Sequence, residues 1–279
     1  MADISIWGYD FSRGWLSQTE AEYLVGLPQS LPTVEWVWQE MDRIWHHFRL
    51  DNFQPLSKQP IGEYYSHPVW LMNGIFTSSD PVSIAHRMAI TRYLSQIKAK
   101  AIADYGGGFG SLALAVTQSI SDASVSIVEP YPFKVGVERL RIVPRIKFVP
   151  DLTSGDYDAI VAQDVLEHVE DPVRLASEIA AAVRRGGEVI FANCFFPVIQ
   201  CHLPSTFHLR YTFPYVMKAL GLKHKGCVKG AEHAQIFIHT GQVNFARAQR
   251  AEALSRVLGP VINKVLGCSA RIKRVRLRE

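Results

Sequence analysis

The 279-residue chain is predicted to be an α/β protein: a mostly parallel seven-stranded sheet ending in an antiparallel strand pair, with a helical cap in front of it. Three observations predict this. From about Lys98 onward, short apolar runs alternate with helical stretches, the pattern of a parallel sheet covered on both faces. The last two apolar runs, Leu222–Val228 and Ala234–His239, leave no room between them for a crossover helix and so must pair antiparallel. The first 97 residues instead read as helical and hold all six tryptophans (Trp7, Trp15, Trp36, Trp38, Trp45 and Trp70). With 48% hydrophobic and 20% charged residues, the chain has the apolar content for a large core.

In chain order, Ser17-Gln-Thr-Glu20 has the form of a capping box. Thr33 caps a helix through about Leu50, in which Val34, Val37 or Trp38, Met41, Trp45 and Phe48 recur at helical spacing. Asp80-Pro81 starts another helix over Val82–Gln96, with proline at the first helical position. Strands follow at 101–105, 124–129, 146–150, 157–162 and 188–192, with helices at 111–119, 132–140 and after Asp171-Pro172. In the last of these Leu175, Ile179 and Val183 share a face, and Gly186-Gly187 stops the helix. A further helix, Thr212–Leu220, precedes the final strand pair. The expected organisation is a cap over 1–97, a ligand-binding domain over 98–241 and a basic helical tail over 242–279.

Charge sets that tail apart. Residues 242–279 hold nine Lys and Arg against two acids, leaving 21 basic and 24 acidic residues for the rest of a chain whose net charge is +4. A nucleic acid, an anionic lipid surface or an acidic polymer could be attracted to the tail, but the favoured reading is a solvated helix with a frayed basic end. No apolar run reaches the ~18 residues of a membrane span. The start lacks a basic region ahead of an apolar core, and the four cysteines show no paired spacing, so a reducing cytoplasm is expected.

The sharpest local signal is Asp104-Tyr105-Gly106-Gly107-Gly108-Phe109-Gly110, between the first strand of the sheet and its helix. Glycines let a ligand approach the backbone, and the helix behind them offers amide donors and a partial positive charge. Such a loop lies at the carboxyl end of the sheet, where open α/β folds bind ligands. Glu129, ending the second strand, can accept both hydroxyls of a ribose. Gly108-Phe-Gly110-Ser-Leu-Ala113 also fits a dinucleotide fingerprint. Asp104 argues against that reading, because it would repel a pyrophosphate yet suits the ammonium of an amino acid.

At these residues the chain resembles the class I S-adenosylmethionine-dependent methyltransferases. Ile102-Ala-Asp-Tyr-Gly-Gly-Gly-Phe-Gly110 is similar to the family's first motif, and Asp158–Pro172, with Leu166-Glu167-His168, looks like its fourth-strand motif. The resemblance covers roughly residues 98–240 and implies a Rossmann-like fold with S-adenosyl-L-methionine as cofactor. It implies Gly106, Gly108 and Gly110 against the methionine portion and ribose, Asp104 near the amino group and Glu129 on the ribose hydroxyls. Asp151 would accept from the adenine amino group, with Leu152 beside the ring, and Gln163 and Asp164 would line the methionine end. Phe109 stands where the family usually has a small residue.

Methyl transfer is an in-line displacement, for which alignment and exclusion of water matter most. A hydroxyl acceptor also needs a proton taken up, and His202 and His168 are the expected catalytic residues, both following sheet strands on the ligand side. His208 is expected to be structural. Some quinone-pathway and RNA-end methyltransferases carry a metal-binding variant of the Asp164–His168 stretch. Most members with Leu-Glu-His need no metal, and none is expected here. Tyr65, within Tyr64-Tyr65-Ser-His67-Pro-Val-Trp70, is placed as a lid over the cofactor's sulfonium. The expected acceptor is a small or sugar-like molecule methylated at oxygen. An RNA or anionic glycan bound through the tail, or a binding protein without chemistry, is the alternative; a nicotinamide dehydrogenase is disfavoured by Asp104.

Overall fold

A computed structural model describes residues 3–152, 155 and 157–276. The chain opens with a two-stranded antiparallel hairpin, β1 (Ile4–Ile6) and β2 (Tyr9–Phe11), turned by Trp7 and Gly8 at φ of 48° and 88°. The all-helical reading of the first 97 residues passes over this hairpin, since strands of three residues are too short to show alternation. Helices α1 (Gln18–Val25), α2 (Val34–His47), α3 (Lys58–Ser66), α4 (Pro68–Ser79) and α5 (Pro81–Gln96) complete the region. Their starts follow the capping signals. Ser17 and Glu20 form a reciprocal capping box, Thr33 accepts from the Trp36 amide, and Asp80 accepts from the Ser83 amide at 2.7 Å. Between α3 and α4, His67 Nδ1 accepts from the Val69 amide at 3.1 Å, so the turn in the lid segment is a helix cap. The face of α2 that carries Val37, Met41, Ile44 and Trp45 packs on Tyr64, Met72 and Phe76, which gives the cap its own core.

The sheet contains β3 (Ala101–Tyr105), β4 (Ser124–Val128), β5 (Ile146–Val149), β6 (Tyr157–Gln163), β7 (Val183–Ala192), β8 (Leu222–Val228) and β9 (Ala231–His239). Their spatial order is β5-β4-β3-β6-β7-β9-β8, parallel throughout except for β9, which runs antiparallel to both β7 and β8. This is the expected α/β, Rossmann-like architecture. Helices α6 (Ser111–Ser119), α7 (Lys134–Leu140), α8 (Pro172–Ala182) and α9 (Leu209–Leu220) join the strands. One face of the sheet packs Ile102, Val161 and Ile190 against Ile90, Leu94, Ala113 and Val116 of α5 and α6. The other packs Ile160, Phe191 and Phe237 against Ala176, Ile179, Phe213 and Val216 of α8 and α9.

One boundary differs from the sequence reading. Helix α8 ends at Ala182, before Gly186-Gly187, and Val183 is already in β7 opposite Tyr157. Main-chain pairing across the sheet takes over from the helical repeat at that residue, and the glycines fall inside the strand. The last helix, α10 (Phe245–Arg276), lies along α9. Ala248, Ala251, Glu252 and Ser255 are buried there, with Ser255 Oγ 2.8 Å from His208 Nδ1, so His208 holds helices together. No helix among the described residues is long and apolar enough to cross a membrane.

Candidate active site

Strand order fixes where a ligand can sit. The direction of crossover reverses on either side of β3, so β3 and β6 part at their carboxyl ends and leave a crevice. Register carries the neighbouring residues to its rim. Tyr105 lies opposite Val128 on one side and Ala162 on the other, so Gly106, Glu129 and Gln163 emerge together. The crevice opens into a cavity of about 510 Å³, roofed by α3, α4 and α5, a size suited to a small-molecule ligand.

The glycine loop forms its floor. The Gly108 amide donates to Glu129 Oε2 at 3.0 Å and the Tyr131 amide to Oε1 at 3.1 Å, which holds the carboxylate in place with lone pairs to spare. Asp104 is 4% exposed, and its Oδ2 is buried without a hydrogen-bond partner. Burial first, and the Glu129 carboxylate second, push the Asp104 carboxyl up to about 7, with Arg87 opposing. A Cβ on Gly107 would lie 2.6 Å from this carboxylate, so the glycine is required by close approach. Gly110 is required for packing: at φ 76°, its Cβ would lie 2.3 Å from Leu140 Cδ1. Across the crevice, Asp164 takes the left-handed conformation at φ 50°, its amide donating to the Ala192 carbonyl at 2.8 Å. A non-glycine residue held in that region costs about 1 kcal/mol or more and is typical of functional sites.

Aromatic rings form the opposite wall. Tyr65 stacks on Tyr131 with ring centroids 6.1 Å apart and lies 5.1 Å from Trp70, and Trp70 meets the His168 ring edge-on at 5.9 Å. The Tyr65 hydroxyl and Trp70 Nε1 are both buried without partners. His168 Nδ1 lies 3.1 Å from the Cys201 carbonyl and His202 Nδ1 2.8 Å from that of Phe196, so each ring donates through Nδ1 and keeps Nε2 free. Burial, and then His202, push His168 down to about 3; burial lowers His202 as well. Both imidazoles are therefore neutral at pH 7. Beside them, Glu167 is fully buried, with Oε1 accepting from the Cys194 amide at 2.6 Å and Oε2 unpartnered. Burial and the nearby Asp164 push Glu167 up to about 8.

Of the residues singled out in the sequence, Tyr65, Asp104, Gly106, Gly108, Glu129, Gln163, Asp164 and His168 line this cavity. Gly110, Asp151, Leu152 and His202 stand outside its wall. Asp151 is exposed, Leu152 packs beside the core, and His202 sits behind His168 with ring centroids 4.9 Å apart. Sequence reasoning missed Tyr131, two residues beyond Glu129, although any residue just past a strand end in this fold faces the ligand side. It also missed His86 and Arg87 of α5 and His233 of β9, which close the far end of the cavity; the His86 and His233 rings are 4.6 Å apart. No spacing in the chain announces that meeting of a cap helix with the last strand.

Fold and site together define an α/β domain with a cavity of small-ligand size over a glycine loop at the carboxyl end of its sheet. Residues 84–213, a little under half of the chain, match the family model described as a methyltransferase domain. The ubiquinone biosynthesis O-methyltransferase of Bordetella avium is 28% identical over 113 residues, 37% of this chain and 46% of that protein. Its namesake from Pectobacterium atrosepticum is 24% identical over 132 residues, 44% of this chain and 55% of that protein. The chain thus spans about half the length of the curated relatives it matches. Human N-acetylserotonin methyltransferase, solved in complex with SAM, shares the fold at a TM-score of 0.51 and 15% identity, over 74% of this chain and 67% of that one.

Proposed function

We propose that this protein uses S-adenosyl-L-methionine to methylate a hydroxyl group on a small acceptor carrying a flat ring. The observation that carries the proposal is the buried, unpartnered oxygen of Asp104, in one cavity with Glu129 and the glycine loop. Asp104 is suited to the cofactor's ammonium and Glu129 to its ribose hydroxyls; Tyr65, Trp70 and Tyr131 exclude water and present ring faces toward a cation. The bound cofactor supplies an activated methyl group on sulfur. His168 lines the same cavity with Nδ1 engaged by the Cys201 carbonyl, which leaves Nε2 suited to accept a hydrogen bond from the acceptor's hydroxyl.

The low proton affinity of His168 bears on the acceptor. An imidazole pushed down to about 3 orients a hydroxyl well but holds a proton poorly. As the oxygen–methyl bond forms and the sulfur–methyl bond breaks, S-adenosylhomocysteine is the leaving product and the hydroxyl's proton passes to solvent, a loss that a phenol-type hydroxyl near pKa 10 makes more readily than an alcohol such as a sugar's. The ring-lined wall supports the same preference, and the two O-methyltransferase relatives agree with oxygen as the methylated atom.

Calorimetry with S-adenosylhomocysteine, followed by methyl-transfer assays on phenolic and sugar-like acceptors, tests this reading. Binding with turnover of a phenol is expected, and His168→Ala, which removes the orienting hydrogen bond, should lower kcat about tenfold. Binding without turnover of any hydroxyl acceptor would leave a cofactor-binding protein.

A second reading rests on Glu167, His168 and His202, each of which offers one ligand atom within 4.8 Å of those of the other two. Two neutral imidazoles and a carboxylate fit a divalent cation, which would polarise the acceptor oxygen. A thermal shift on adding Mg²⁺ or Zn²⁺ that disappears in His202→Ala, with activity lost on chelation, would select this reading over the metal-free one.

A further inference from the structure

The C-terminal helix carries two faces. Its docked face, with Ala248, Ala251 and Ser255 buried and Asn263 Nδ2 donating to the Phe207 carbonyl at 2.8 Å, binds it to the body. About 130° around the helix, at 100° per residue, a second face carries Leu254, Val257, Leu258, Val261 and Val265 in a stripe about 100° wide. These side chains are exposed, Val257 by 71%, Val261 by 62% and Val265 by 58%. Over Leu254–Arg278 there are seven Lys and Arg and no acid, against an acidic excess in residues 1–241.

We propose that this half of α10 is an interfacial helix that seats the protein on an anionic lipid surface. An exposed apolar stripe on a segment whose sequence is strongly cationic is what a bilayer's boundary accommodates: the stripe enters among the acyl chains while cations such as Lys264 meet lipid phosphates. A second copy of the chain would bring seven further positive charges against the first, and like charge opposes that pairing. A nucleic acid would use the cations but leave the valines and leucines in water. The site lies apart from the cavity, so the inference is independent of the proposed methyl transfer.

Cosedimentation of the full-length protein with phosphatidylcholine vesicles, with and without about a third of phosphatidylglycerol, tests it. Binding is expected only to the anionic vesicles, and it should weaken as salt is raised. Val261→Asp, at an exposed position that leaves the fold intact, should reduce partitioning on the order of tenfold. Lys264→Gln should reduce it about fivefold. Neither change should alter S-adenosylhomocysteine binding. Failure to bind anionic vesicles would overturn the proposal. So would vesicle binding untouched by Val261→Asp, a concentration-dependent dimer that this variant dissociates in the absence of vesicle binding, or an RNA oligonucleotide bound in preference to the vesicles.

Discussion

Asp104 shows how a single side chain couples a ligand to the proton. Desolvation holds its carboxyl up at about 7, whereas an ammonium in the cavity stabilises the charged form. Ligand binding below pH 7 therefore releases a proton, and affinity should rise with pH by up to about tenfold per unit until the free carboxyl is already ionised. Titrations with S-adenosylhomocysteine in buffers of different ionisation enthalpy read the proton count directly. Asp104→Asn should weaken binding on the order of tenfold or more and abolish the pH slope. An unchanged slope in that variant would assign the proton to another group. The carboxylate was legible in the sequence because the glycine loop marks the end of its strand. Its proton affinity was not, since that depends on how α5 and Glu129 enclose it.

At the scale of elements, the cap and the glycine loop are one packed unit, joined by Phe109. The ring is 7% exposed, meets Tyr9 and Phe11 of the hairpin edge-on at 5.7 and 6.0 Å, lies under the Arg139 guanidinium at 3.9 Å and fits over Gly74 of α4. A large residue in a loop of glycines is thereby explained: it is the plug through which the cap holds the loop. Phe109→Ala should cost about 3–5 kcal/mol in urea unfolding. A sharper test is Phe11→Ala, which touches this plug but does not line the cavity. If the hairpin steadies the loop, cofactor affinity should fall several-fold in that variant while the fold persists; unchanged affinity would reduce the hairpin to a cover. Helix caps and strand order were legible because they follow from local chemistry, as at Ser17, Thr33 and Asp80. The hairpin and the meeting of Phe11 with Phe109 were not, being contacts between segments about 100 residues apart with no shared period. For the same reason the Asp164–His168 stretch showed Glu167 and His168 as neighbours, but the long connection that brings His202 behind them carries no mark of it.

Across the whole molecule, buried titratable groups of opposite kinds set a pH window for stability. His67, His168 and His208 are pushed down to about 4, 3 and 4, mainly by burial. Each binds a proton more readily when unfolded, so its contribution is full above pH 6.5 and fades as pH falls through the folded value. Asp104 and Glu167 are pushed up to about 7 and 8, and each holds its proton more tightly when folded. Their contribution is full below the unfolded carboxyl range and is lost as pH rises through the folded values. Between about pH 4.5 and 6 Asp164, pushed up to about 6 by burial, joins these two acids in offsetting the three histidines, so stability is nearly level; from there to 6.5 the histidines prevail and it rises. Above 6.5 the histidines no longer differ between folded and unfolded chains, and the two acids make stability fall until about pH 8. The melting temperature of the ligand-free protein should therefore peak near pH 6.5. S-adenosylhomocysteine at 100 times its Kd adds about 2.7 kcal/mol, and if its ammonium meets Asp104 as proposed, the peak should rise and move toward pH 8. Asp104→Asn should make the alkaline limb shallower without ligand, steepen the rise on the acid side by the one proton it removes, and abolish the ligand's shift of the peak. Melting curves from pH 4 to 9 on both proteins decide it, and an identical peak position with and without ligand would mean that Asp104 does not face the cofactor's charge.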